Sequence, residues 1–145
     1  MPRLDVRVRN LSSLQAKVKR LDWSIQAAVV SALRSLTQPI EQDIKQELRR
    51  TKSGPVVQRY RPQRTVKVSR PFEAPAEDLG MLVNSIDVEV DSSQYNLTIS
   101  ASAPYARELE YGTRNMLPRP FLRPALARWR QRIIDAIHDA IKGAV

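Results

Sequence analysis

"IDVEVDSSQYNLTISAS", residues 86–102, is the strongest strand signal in the chain and decides the fold class. Ile86, Val88 and Val90 alternate with Asp87, Glu89 and Asp91, and then Tyr95, Leu97, Ile99 and Ala101 alternate with Asn96, Thr98 and Ser100. A period of two sends successive side chains to opposite faces of a pleated strand, so both segments have one apolar and one polar face. With residues 91–94 as the turn, Val90 is expected opposite Tyr95, Val88 opposite Leu97 and Ile86 opposite Ile99. Such a hairpin is half-buried and needs a cover.

The flanking sequence supplies helices. From about Ser12 to Arg50, Leu14, Val18, Leu21, Ile25, Val29, Leu33, Leu36, Ile40, Ile44 and Leu48 recur at three-and-four spacing, the stripe of one helix face. This stripe reads as core packing, since it does not keep the strict heptads of a coiled coil. Pro39 lacks the N–H a continuous helix would use, which predicts a kink there or a break near "SLTQP". Downstream, Leu122, Leu126, Trp129, Ile133, Ile137 and Ile141 mark a second amphipathic helix, with Pro124 in its first turn. Arg123, Arg128, Arg130 and Arg132 lie on its other side. Between hairpin and helix, Pro104 to Tyr111 reads as a short helical turn ended by Gly112, with a strand as the alternative. The expected architecture is α+β: a long N-terminal helix, a central antiparallel sheet with a hairpin near 86–101, and a C-terminal helix packed on the sheet. At 145 residues the chain is the size of a single domain.

Residues 51–78, "TKSGPVVQRYRPQRTVKVSRPFEAPAED", hold four prolines and no helical period, so they read as a long basic loop or arm. "TVKVS" fits a short edge strand guarded by its cations. Tyr60 and Phe72 are interleaved with Arg59, Arg61, Arg64, Lys67 and Arg70, a composition suited to stacking on bases and neutralising phosphates. A contact with a neighbouring subunit fits it better than nucleic acid does, and plain solvation is the third reading.

Charge is unevenly spread. The chain has 24 Lys plus Arg against 15 Asp plus Glu, a formal net charge of +9. Residues 51–72 hold six basic groups and no acidic one, whereas residues 79–112 hold one basic and five acidic groups. Faces of opposite sign suit a polyanion, or like copies docking head to tail.

Catalytic patterns are thin. Without cysteine, and with His138 as the single histidine, disulfide frames, thiolate metal sites and histidine clusters are excluded. All four glycines are isolated, so no phosphate-cradling loop occurs, and no serine has a histidine placed by sequence to activate it. Strand alternation alone accounts for Asp87, Glu89 and Asp91. Glu108 and Glu110 suit ion pairs with Arg107, Arg114 or Arg119 better than acid–base work. The chain reads as non-enzymatic, with no cofactor or metal. The N-terminus is charged where a secretory signal needs an apolar run, and no segment has the ~18 apolar residues of a membrane span. A cytoplasm-like compartment and no membrane partner are expected.

One segment points to a family. Tyr105, Ala106, Glu110, Tyr111, Gly112 and Thr113, followed by Pro120, Phe121, Leu122, Arg123, Pro124, Ala125 and Leu126, resemble the "YA...EfGT...PRPFLRPAL" signature of minor structural proteins in the neck of long-tailed bacteriophages. These are the head-tail joining or tail-completion proteins. Gly80, Leu82, Ser85 and Ile86 resemble the same family's "tG.L..SI", and the likeness spans roughly residues 10–142, although the basic arm is longer than the family's usual linker. The resemblance implies a virion component, assembled from the host cytoplasm, that forms a homo-oligomeric ring, expected as a hexamer, around the DNA channel at the head-tail junction. Its partners would be the adjoining neck or connector and tail proteins, with non-specific DNA contact open. Glu108 and Glu110 against Arg114, Arg119 and Arg123 form the expected subunit contact, with Tyr111 and Phe121 as aromatic anchors. The competing reading has Phe121, Leu122 and Tyr111 close the core between hairpin and terminal helix. The alternative function is a basic nucleic-acid-binding module using the arm at 51–72.

Overall fold

The computed structural model describes residues 3–7 and 12–144. The elements run β1 (Leu4–Arg7), α1 (Ser12–Lys19), α2 (Trp23–Arg49), β2 (Val56–Tyr60), β3 (Gln63–Lys67), α3 (Met81–Asn84), β4 (Ile86–Asp91), β5 (Asn96–Ala101), α4 (Ala106–Tyr111) and α5 (Leu122–Ala144). Strands β1, β5 and β4 form an antiparallel sheet in that order, while β2 and β3 pair only with each other. Helix α2 packs along α5 and on β4, and α5 also reaches β1 and β5, so two helices cover one sheet face. The protein is α+β, with its C-terminal helix on the sheet.

The core follows the two periodicities. Val29, Leu33, Ile40, Ile44 and Leu48 of α2 meet Ile133 and Ile137 of α5 over Ile86, Val88, Leu97 and Ile99 of the sheet, all of them buried. Burying one such side chain is worth about 1.5–3 kcal/mol, which is what holds helices and sheet together.

Three expectations are corrected. First, no break falls near "SLTQP": α2 runs on through Pro39, and the helix break falls at Arg20–Asp22 instead. Pro39 and Ser35, whose carbonyl loses its i+4 donor, both lie on the exposed face, where water can satisfy that carbonyl. At the real break, the Gln26 side chain donates to the carbonyls of Val18 and Lys19 at the end of α1.

Second, the hairpin register is displaced by two: Val90 pairs with Leu97, Val88 with Ile99 and Ile86 with Ala101. Asp91 stays in the ladder, and its Oδ1 accepts the Ser93 and Gln94 N–H groups, while Tyr95 takes φ 51. This side-chain-built turn moves the loop to residues 92–95. A shift of two preserves the faces, so the apolar side remains inside.

Third, the arm is not structureless, because residues 56–67 form a hairpin turning at Arg61–Pro62. Its second strand begins two residues earlier than "TVKVS". The short helix before Gly112 starts at Ala106 rather than Pro104. Strand β1 was not foreseen; Leu4 and Val6, alternating with Asp5 and Arg7, are too short a run to declare it.

Candidate interaction site

The signature segment folds around one carboxylate. Helix α4 ends where α5 begins, and Glu110 of α4 reaches under the first turn of α5. Its Oε2 accepts the N–H groups of Phe121 at 2.8 Å and Leu122 at 3.0 Å, and its Oε1 accepts the Arg123 N–H at 2.8 Å and Nε at 3.1 Å. The next residue is Pro124, which has no N–H. The donors that a helix start leaves unpaired are thus all used or absent. The Glu110 carboxylate, whose side chain has 0% exposure, thus sits at the positive end of the helix dipole and pairs with the Arg123 guanidinium.

Arg123 extends the clamp. Its Nη2 donates to the Glu110 carbonyl at 3.0 Å, and the guanidinium lies 4.6 Å from the Tyr111 ring centroid. Gly112 must be glycine, because its φ of 76° disfavours a side chain and a Cβ would lie 2.7 Å from the Met116 carbonyl oxygen. The turn it permits brings the Thr113 and Met116 backbones together and lets Arg119 N–H bond to the Leu109 carbonyl at 2.6 Å.

The prolines and Arg119 then tie this loop to the arm. Arg119 Nη1 donates to the Ser69 carbonyl and to its hydroxyl, the latter at 2.7 Å, and Phe72 N–H donates to the Pro118 carbonyl at 2.8 Å. Glu73 accepts the N–H of Arg70 and both donors of Ser53, which holds its carboxyl below the usual range. Asp78 takes a two-pronged contact from Arg64, the main cause of its lowered pKa, with Arg59 3.9 Å away. Lys52 is buried and donates to the Glu47 carbonyl near the end of α2; burial lowers its pKa, against the pull of Glu47 and Glu73.

These contacts sort the residues singled out from sequence. Glu110 and Phe121 lie inside the chain, which corrects the expectation that they reach another subunit; Phe121 is 3% exposed and joins Leu122 in the core. Arg119 and Arg123 are committed to internal partners. Glu108, Tyr111 and Arg114 remain on the surface. In the arm, Arg59 and Arg64 share Asp78, while Arg61, Lys67, Arg70 and a 73% exposed Tyr60 face solvent.

Beside the clamp lies a feature the sequence did not announce, an open groove of about 530 Å³ lined by Leu79, Met81, Leu82, Tyr105, Leu109 and Met116, with Arg59, Asp78 and Arg119 among its polar groups. Leu79, Met81 and the nearby Leu117 are each more than half exposed. Leu79 and Leu117 lie in irregular segments and Met81 in a helix of a single turn, too short for periodicity to distinguish buried from exposed. Among the described residues no His, Cys, Asp or Glu group is arranged to hold a metal ion, and no helix is long and apolar enough to cross a membrane.

No family model, curated protein or solved structure matches the chain.

Proposed function

We propose that this protein is a non-enzymatic structural subunit of a long-tailed phage virion, forming a ring at the head-tail junction around the DNA channel. The observation that carries the reading is the resemblance over residues 105–126, together with what those residues do here. Glu110, Gly112, Arg123 and Pro124 brace one helix against another. A rigid brace that displays Glu108, Tyr111 and Arg114 on its outside suits a subunit that docks on protein neighbours, since pre-ordered loops lose little entropy on binding. The direct test is genetic. Arg114→Glu in a phage dependent on this protein is expected to yield separate heads and tails while the purified variant melts like wild type. Normal infectious particles from that variant, and from Glu108→Lys beside it, would overturn the interface role.

A second reading rests on the exposed Tyr60 beside Arg61 at the tip of the β2–β3 hairpin, an arrangement able to stack on bases and contact phosphates. It predicts monomeric DNA binding that weakens steeply with salt.

A further inference from the structure

Among the described residues two elements of the fold leave strand edges unpaired, and they are of opposite charge. The β2–β3 hairpin is one. A two-stranded hairpin is marginal by itself in water and ordinarily gains a third strand or a helix beneath it. Here neither strand packs extensively on a helix or on the main sheet, and the tether runs through Arg59 and Arg64 to Asp78 and through the hairpin base. Residues 56–67 contain four cations and no carboxylate, and Arg61 and Lys67 point to solvent without an ion-pair partner among the described residues.

The other is β4. It is an edge of the three-stranded sheet, and among the described residues nothing pairs with its outer side. Ser102 N–H donates to the Ser85 carbonyl, so by the alternation of an antiparallel ladder Asp87 and Glu89 exchange hydrogen bonds with Ser100 and Thr98. The N–H and C=O groups of Ile86, Val88 and Val90 therefore point outward from the sheet. The same strand carries Asp87, Glu89 and Asp91; Arg3, just before β1, reaches across to Asp87 at 2.9 Å and to Glu89 at 3.5 Å, so one cation is set against three carboxylates and this side keeps an acidic excess, whereas β1 itself carries Arg7 beside Asp5. Charge thus favours a basic strand at β4, where carboxylates are in excess, over β1, where one cation and one carboxylate balance.

We propose that the β2–β3 hairpin of one copy adds to the β4 edge of the next, extending the three-stranded sheet to five strands across each subunit boundary. The two surfaces differ, so the contact is head-to-tail and repeats until it closes into a ring. Lys and Arg along the hairpin prevent indiscriminate strand pairing yet complement this one acidic edge. The inference rests on the ring-subunit reading and supplies its interface.

The test is amide exchange by NMR on the purified full chain, in dilute solution and at about 1 mM in low salt, with mass followed by light scattering. The expected result is association on concentration, with the Val88 and Val90 amides slowing by about tenfold or more while those of Glu89 and Asp91 are protected throughout. Arg61→Glu with Lys67→Glu, or Asp87→Lys with Glu89→Lys, weakens association, and all four changes in one chain restore it. Circular dichroism confirms that each variant is folded. Association with Val88 and Val90 still exchanging freely, or a charge swap that restores nothing, overturns strand addition and leaves a ring built through another face. A chain monomeric at the highest concentration also overturns it, whereas the ring reading is then decided by the head-tail joining phenotype of Arg114→Glu.

Discussion

Replacing Glu110 tests the central brace most sharply. In Glu110→Ala, the N–H groups of Phe121 and Leu122 lose their acceptor in a region where both residues are buried, and the Arg123 guanidinium loses its carboxylate. An unsatisfied buried donor costs about 1–3 kcal/mol. The Arg123 side chain is half exposed, so water takes up its guanidinium and the lost pair adds at most about 1 kcal/mol. A loss of about 4 kcal/mol is expected, a large share of the 5–15 kcal/mol typical of whole domains. Glu110→Gln is the more discriminating variant. It matches the shape of glutamate, but each carboxylate oxygen here accepts two donors, so whichever position the amide nitrogen takes, it faces N–H groups. The expected cost is about 2–3 kcal/mol, read as a lower urea midpoint at unchanged slope. If Glu110→Gln unfolds within about 0.5 kcal/mol of wild type, Glu110 only fills space and the capping argument is refuted.

Further predictions concern the elements around the brace. Gly112→Ala is expected to destabilise by about 2 kcal/mol or more, seen as a lower melting temperature, because it combines positive φ with a 2.7 Å approach to the Met116 carbonyl oxygen. Asp78→Asn frees Arg64 and Arg59, so trypsin is expected to cut the hairpin faster in native buffer while the helical signal is unchanged. Acid should loosen the fold in a defined window. Burial raises the pKa of Asp43, but hydrogen bonds from the Trp129 indole and Arg128 outweigh it, and Asp43, Glu73 and Asp78 all end lowered. Carboxylates with depressed folded values contribute stability that is fully present above their ordinary values of 3.8 and 4.5 and is lost as pH falls through the depressed ones. Urea midpoints should therefore be flat near neutrality and fall in that acid range, and Asp43→Asn should flatten the fall.

Local pattern carried much of this protein. The three-and-four stripes from Leu14 to Leu48 and from Leu122 to Ile141, and the alternation from Ile86 to Ala101, announced helices, hairpin and core, because burial on one face forces that periodicity whatever the fold. Gly112 and Pro124 marked the ends of the segment between sheet and helix, since backbone dihedrals are a local property. What the tertiary structure alone decided is which charges meet. Glu110 reads in sequence as an ion-pairing group, and becomes a buried cap only because the first turn of α5 folds back onto its carboxylate. Arg59 and Arg64 read as part of a free basic arm until Asp78, 14 residues beyond Arg64, takes them up. The same holds for Pro39, tolerated because its face of α2 is wet; the hairpin register, by contrast, is set by local hydrogen bonds to Asp91 from Ser93 and Gln94. Periodicity records how often a side chain meets the core; hydrogen-bond and ion-pair partners depend on distances between segments remote in the chain, and those exist only once it has folded.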